Sequence, residues 1–292
     1  MELKGIYCPI TTPFCDGQGA ADKLVYNLEK LAAANLAGYV LFGSTGEAPY
    51  ISVAERIELI KAARAAIPPG KVFIVGTGFE STSETIAFTK QAVDLGADCA
   101  LVLTPNYYKS QMSDEVCERH FVSVADKSPI PVILYNVPVF TGIDISANVV
   151  KKLSRHPNII GIKDSTTNLT KLIDLTTIPR HFKVLVGNAA NFLAGLFLGA
   201  QGAVLALGNL AAKPCVEIYN LYGKGDYDEA RRLFLLILPL ATNVIAPYGI
   251  PGIKAGMDML GCFGGLPRAP LLAVNESVKE EIRLRLIHAG LL

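Results

Sequence analysis

Tryptophan is absent from the 292 residues, histidine occurs only four times, and the charges nearly cancel, 27 Lys and Arg against 26 Asp and Glu. A near-neutral chain without a basic run has no electrostatic grip on a phosphate backbone, which excludes nucleic acid as a partner class. His120, His156, His181 and His288 are isolated, with no H-x-x-x-H or His–acid cluster, so no metal site is expected. No G-x-x-x-x-G-K-[ST] occurs, Gly76-Thr77-Gly78 lacks the third glycine of a dinucleotide fingerprint, and no G-x-S-x-G supports a serine nucleophile. Cys8, Cys15, Cys99, Cys117, Cys215 and Cys262 are scattered without a C-x-x-C pair, and read as buried thiols of a reducing compartment. The start, Met1-Glu2-Leu3-Lys4-Gly5, has neither a signal-peptide pattern nor an Arg-rich leader, so a cytoplasmic location is expected. No apolar run reaches the roughly 18 residues that span a bilayer, the strongest, Leu233 to Leu240, being interrupted by Pro239. The expectation is a soluble protein without a membrane partner.

What is present is a regular alternation of short apolar, β-branched runs with longer segments of helical period. Eight strand candidates follow one another: Gly5–Phe14, Gly38–Phe42, Val72–Gly76, Cys99–Thr104, Pro131–Tyr135, Ile159–Lys163, Lys183–Val186 and Gly202–Ala206. Nearly all lack polar alternation, the mark of strands buried on both faces in a parallel sheet. Helical stretches between them include Val53–Ile67, Ser83–Leu95, Ser113–Ala125, Ser146–Leu153 and Asn191–Leu198. Ser52, Ser113 and Asp144 or Ser146 are candidate N-caps, with Gly96 and Gly199 as stops. Eight βα units predict an α/β fold, a TIM (β/α)8 barrel over residues 1–225, where an open doubly wound sheet has fewer strands. From Asp226 onward the β signal disappears. Tyr227–Val244, Ile253–Leu260 and Asn275–Ala289 read as helices, separated by Tyr248-Gly249-Ile250-Pro251-Gly252 and Gly264-Gly265-Leu266-Pro267. Residues 226–292 are therefore expected to form an all-helical C-terminal extension packed on the barrel, since no Pro/Ser-rich linker precedes it. The sequons at Asn168 and Asn275 carry no weight in a cytoplasmic chain.

In such a barrel the reactive groups come from the C-terminal ends of strands and the loops that follow. Strand six ends Ile162-Lys163-Asp164-Ser165, and an amine at the mouth of an apolar strand loses solvation, which frees it as a nucleophile toward a carbonyl. The competing reading is a lysine that bends out to solvent or pairs with Asp164. Strand five ends in Tyr135, next to strand six if the barrel order holds, and a phenol there could carry protons during imine formation; alone it would be a core aromatic. Gly43-Ser44-Thr45-Gly46-Glu47 after strand two combines two glycines with two hydroxyls, a loop that can hold a carboxylate, although Gly and Ser also dominate ordinary turns. Thr104-Pro105-Asn106-Tyr107-Tyr108 brings phenols to the same face, with a subunit contact as the alternative use. Thr11, Gly46, Tyr108, Phe140, Ser165 and Asn188, at or beyond strand ends, complete the set of candidate substrate contacts.

Gly43–Glu47 (G-S-T-G-E), Tyr135–Pro138 (Y-N-V-P) and Gly161–Ser165 (G-I-K-D-S), in this order, resemble the dihydrodipicolinate synthase/N-acetylneuraminate lyase family over nearly the whole chain. The resemblance implies (β/α)8 enzymes, usually homotetramers built as dimers of dimers, that act on pyruvate or make it through a lysine Schiff base without metal or organic cofactor. By position it implies Lys163 as the Schiff-base lysine, Tyr135 as the proton-transferring phenol, and Ser44 with Thr45 as carboxylate binders. Tyr107 matches the tyrosine lent to a neighbouring subunit's site, with Tyr108 as the alternative if the loop is shifted by one. One position departs: the synthases have Y-N-V-P-x-R-T-G, and the arginine is here Phe140. Without that guanidinium an incoming carboxylate loses its bidentate partner, which puts synthase activity in doubt. Pro129–Pro131, His156–Ile159, Gly249–Gly252 and Arg268–Leu271 look closest to the 4-hydroxy-2-oxoglutarate aldolases. The expectation is therefore an aldolase that cleaves a 4-hydroxy-2-oxo acid to pyruvate and an aldehyde such as glyoxylate. The alternatives are a synthase condensing pyruvate with aspartate semialdehyde, and a barrel that binds an oxo acid without turnover.

Overall fold

A computed structural model describes residues 3–179 and 181–292. In chain order it contains β1 (Gly5–Pro9), β2 (Phe14–Cys15), β3 (Gln18–Gly19), α1 (Ala21–Ala32), β4 (Gly38–Leu41), α2 (Val53–Ala66), β5 (Val72–Gly76), α3 (Thr82–Asp94) and β6 (Cys99–Leu103). There follow α4 (Asp114–Lys127), β7 (Val132–Asn136), α5 (Pro138–Thr141), α6 (Ala147–Leu153), β8 (Ile159–Asp164), α7 (Leu169–Thr176), β9 (Lys183–Val186), α8 (Phe192–Phe197) and β10 (Gly202–Val204). The chain ends with α9 (Gly208–Lys224), α10 (Tyr227–Leu240), α11 (Ala246–Met259) and α12 (Glu276–His288). Eight strands hydrogen-bond in the order β1-β10-β9-β8-β7-β6-β5-β4 and close into a barrel, the expected (β/α)8 fold followed by C-terminal helices.

Strand composition explains the closure. β1, β4 and β7 are buried at every residue, so neither face is left for solvent and both must be covered by packing. Helix starts are fixed by side-chain caps. Ser52 and Glu55 form a reciprocal capping box on α2, and Ser113 and Ser146 accept from the third N–H of α4 and α6. Of the two candidate caps for α6, Ser146 is the one used. Asn168 and Asn275 cap α7 and α12 in the same way, which gives both sequon asparagines a role inside the fold.

Two expectations shift. The first strand stops at Pro9, and Phe14–Cys15 instead pairs antiparallel with Gln18–Gly19. The turn is Asp16-Gly17, both at positive φ (50° and 73°), the geometry that Asp-Gly favours in tight hairpins. The C-terminal helices join where a break was expected: α10 passes through a π turn, Ala241–Ile245, directly into α11. The Gly/Pro signal appears as a kink inside α11, with Gly249 at φ 54°, ψ −138°, a conformation that glycine alone adopts readily. Because this helical stretch continues past Pro239, Tyr227–Met259 is by length and composition long and apolar enough to cross a membrane, which the sequence reading missed. It carries buried Lys254, and Tyr248 hydroxyl donates to Glu281 of α12 at 2.7 Å, contacts made within the fold.

The chain divides into two compact units, one made of Val72–Val204 with the N-terminal chain to Gly5, the other of Ile6–Lys71 with Leu205–Leu292. Phe73, Phe121, Phe182 and Phe192 are fully buried in the first, and Tyr7, Tyr39, Leu24 and Leu28 in the second. Cys8, Cys99, Cys117 and Cys215 are buried free thiols, and burial pushes Cys99 and Cys215 up to about 12. Cys15, on the exposed hairpin, departs from the expectation of burial, and Cys262 is half-buried.

Candidate active site

In the first unit, β7 and β8 run parallel in a register that places Tyr135 against Lys163 and Asn136 against Asp164. Alternation along a strand then sends each pair to a different face. Lys163 and Tyr135 are both buried, and the Lys163 Nζ lies 4.1 Å from the centre of the Tyr135 ring. The lysine neither bends out to solvent nor pairs with Asp164. Gly161, two residues earlier, has no room for a side chain, since a Cβ there would overlap the Lys183 carbonyl oxygen.

The other pair anchors the two strand ends. Asn136 Nδ2 donates to Asp164 Oδ2 and to Asp144 Oδ1, each at 2.8 Å, while its Oδ1 accepts the Ile145 N–H at 3.0 Å. Asp164 Oδ1 accepts from the Thr166 N–H and hydroxyl at 3.0 and 2.5 Å. Lys171 of α7 pairs with Asp144 and, at 3.5 Å, with Asp164 Oδ2. A buried carboxylate paired and hydrogen-bonded this fully is a rigid support for the residue beside it. Sequence reasoning did not single out this network, because its members lie 28 and 27 residues apart and meet only through the strand register.

The remaining candidates of this unit lie further out. Tyr107 and Tyr108 are 76% and 69% exposed, their rings edge-to-face at 5.0 Å. Glu80 Oε2 accepts the N–H groups of Asn106 and Tyr107 at 2.8 Å each, holding that turn. Phe140, on the short α5, is 66% exposed. Ser165 is half-buried and its hydroxyl lies where a Cβ on Gly187 would be. Asn188, also half-buried, accepts the Ala190 N–H at 2.9 Å.

In the second unit, Ser44–Gly46 form one 3-10 turn bracketed by Phe42 and Glu47, non-glycine residues at φ 57° and 56°. Gly46 packs so closely that a Cβ would stand 3.1 Å from the Ile10 carbonyl oxygen, and Thr12 hydroxyl donates to the Gly46 carbonyl at 2.7 Å. Ser44 and Thr45 are half-buried. Thr11 is buried, with its hydroxyl on Met257 Sδ at 3.2 Å and its N–H on Asn209 Oδ1 at 3.3 Å. Beneath the turn lies a charged set missed in the sequence: Glu47, Lys254 and Arg268. Lys254 Nζ is 2.7 Å from Glu47 Oε1, and Arg268 pairs with Glu55, whose carboxyl its guanidinium holds down to about 2. A lone lysine inside the apolar Gly252-Ile253-Lys254-Ala255-Gly256 run was the available signal. Among the described residues no group of three or more His, Cys, Asp or Glu could hold a metal ion.

The chain matches the family model described as the dihydrodipicolinate synthetase family over residues 2–289. It is 34% identical over 294 residues to the 4-hydroxy-tetrahydrodipicolinate synthase of Thermodesulfovibrio yellowstonii, covering 99% of each chain. Among solved structures, the 4-hydroxy-tetrahydrodipicolinate synthase from Methylacidiphilum fumariolicum SolV superposes with a TM-score of 0.93 at 32% identity, over 99% of this chain and 96% of that one. The chloride-inhibited dihydrodipicolinate synthase from Acinetobacter baumannii, complexed with pyruvate, does so with a TM-score of 0.94 at 30% identity over all of both chains. These relatives are named synthases, so the expected closeness to the 4-hydroxy-2-oxoglutarate aldolases finds no support among them.

Proposed function

This chain belongs to the dihydrodipicolinate synthetase family, and from that premise we propose that it makes or breaks a carbon–carbon bond between pyruvate and an aldehyde through an imine on Lys163. One observation carries the reading: a buried lysine amine lies over a buried tyrosine ring at adjacent strand ends. Lys163 Nζ adds to the C2 carbonyl of the oxo acid and water leaves, giving an iminium that can accept an electron pair. Loss of a C3 proton from bound pyruvate gives an enamine, whose C3 attacks the aldehyde carbon while the aldehyde oxygen takes up a proton. Water then hydrolyses the imine, releasing the product and the amine. Cleavage runs the same steps backward, with the C4 hydroxyl giving up its proton as the C3–C4 bond breaks. Tyr135 moves protons in these steps, and Ser44 and Thr45 hold the C1 carboxylate. Tyr107, with Tyr108, Thr11, Gly46, Ser165 and Asn188 as further contacts, belongs to the same proposal, as does a lysine imine formed without metal or organic cofactor.

The names of the relatives support aspartate semialdehyde as the aldehyde, with condensation as the reaction. Phe140 favours a second reading, cleavage of a 4-hydroxy-2-oxo acid, because its exposed apolar ring offers a carboxylate no hydrogen bond. Borohydride reduction in the presence of pyruvate is expected to fix an adduct on Lys163, found by peptide mass spectrometry and absent in Lys163→Ala. An unmodified wild-type protein ends the proposal. Rapid turnover of pyruvate with aspartate semialdehyde decides for the synthase, and pyruvate release from 4-hydroxy-2-oxo acids alone decides for the aldolase. Binding of oxo acids without either reaction decides for a non-catalytic barrel.

A further inference from the structure

The Glu47–Lys254 pair is an unusual element to place in a core. Both side chains are essentially without solvent exposure (0% and 1%), and the desolvation of two full charges is recovered only when every donor and acceptor is matched. Here the ammonium is surrounded by acceptors, while Glu47 Oε1 is held by charge alone, without a hydrogen bond of good geometry. The Lys254 ammonium has three N–H donors, and it finds Glu47 Oε1 at 2.7 Å, the Thr12 carbonyl at 2.9 Å and the Leu266 carbonyl at 3.0 Å. Its charge also lies 4.6 Å from the centre of the Phe14 ring. Glu47 Oε2 accepts the Arg268 N–H at 2.8 Å. Burial pushes Lys254 below the ordinary lysine range while Glu47 draws it back.

Three segments converge on this ammonium: the chain leaving β1, the Ser44–Gly46 turn, and the strap at Leu266–Arg268. The turn itself is not in a relaxed conformation, since Phe42 and Glu47 occupy the left-handed region that non-glycine residues adopt only when their surroundings hold them there. Thr12 is tied to the same turn a second time through its hydroxyl on the Gly46 carbonyl. Apolar residues of similar volume would fill the space with equal or better stability. They would not fix the direction of Glu47, and hence of the backbone one residue after Gly46.

We propose that Lys254 and Glu47 are positioning residues, a buried ion pair that sets the Ser44–Thr45 turn at the place where it receives the carboxylate of the oxo acid. The proposal rests on the reading of that turn as the carboxylate site. Neither residue touches the reacting atoms; they act through the turn.

The test compares two ketones in wild type, Glu47→Gln, and a double variant in which Glu47→Leu and Lys254→Met remove both charges together. Borohydride trapping on Lys163 is titrated with pyruvate and with methyl pyruvate, which keeps the ketone but lacks the charged carboxylate. A displacement of the turn by an ångström or less is expected to raise half-saturating pyruvate about tenfold to a hundredfold. Half-saturating methyl pyruvate should stay within about twofold of wild type, because its ester gains little from the site at any position. The double variant, free of an unpaired buried charge, is the one expected to stay folded if Glu47→Gln does not. Equal weakening for both ketones shows a merely structural pair and overturns the proposal, as does unchanged pyruvate saturation in a folded variant. Loss of folding in both variants assigns the pair to stability alone and also overturns it. Absence of an adduct in wild type instead ends the Schiff-base reading, so the two failures are distinct.

Discussion

His120 is 5% exposed on α4, its Nδ1 2.9 Å from Thr82 Oγ1 and its ring edge-to-face with Phe121. Burial lowers it to about 4, partly opposed by the charge of Glu80. In the folded protein the ring is therefore neutral down to about pH 4, whereas the unfolded chain takes up a proton below about 6.5. The unfolded state binds the extra proton in that window, so stability is full above about pH 6.5 and falls as pH drops toward 4, by about 3 kcal/mol at most. In His120→Gln the decline in urea-unfolding free energy between these pH values should be shallower than in wild type. A parallel decline would assign the slope to other groups. At this scale the sequence was readable where a reactive residue ends an apolar strand, as Lys163 and Tyr135 do. It was silent on Lys171 and Lys254, and offered Asp164 only as a partner for Lys163, since a charge looks solvated until the structure shows what surrounds it.

Asn136 works at the scale of elements, because its amide joins the ends of β7 and β8 to the segment that leads into α6. Asn136→Ala leaves Asp164 without one donor and the Ile145 N–H without its acceptor, inside a buried network. The expected cost is about 2–4 kcal/mol in stability. The rate of imine trapping on Lys163 should also fall, because the neighbouring strand end loses its support. A trapping rate equal to wild type in a destabilised variant would confine Asn136 to folding. Strand and helix positions were legible from apolar runs and serine caps, as at Val72–Gly76 and Ser52. The joining of α10 to α11 was not, because Pro239, Gly249 and Pro251 read locally as breaks, yet the chain absorbs them as a π turn and one kink.

At the scale of the whole molecule, apolar residues remain on the outside. In the first unit Leu169, Ile173 and Phe197 are 40%, 45% and 53% exposed, on α7 and α8, besides the two tyrosines at 107 and 108. Such exposure fits the homotetramer that the family resemblance implies, in which these side chains would be covered by other copies. Phe197→Asp is expected to shift the sedimentation velocity profile to smaller species while far-UV circular dichroism is unchanged. A wild-type protein that sediments as a monomer would overturn the homotetramer expected from the resemblance. By itself the sequence determined the eightfold alternation, the C-terminal helices and the motifs carrying Lys163, Tyr135 and Ser44-Thr45, since apolar periodicity, caps and strand-end positions are local. Only the tertiary structure decided which charges are buried and what they pair with. Asn136 meets Asp164 across 28 residues and Lys254 meets Thr12 across 242, contacts that arise when distant segments pack and desolvate one another.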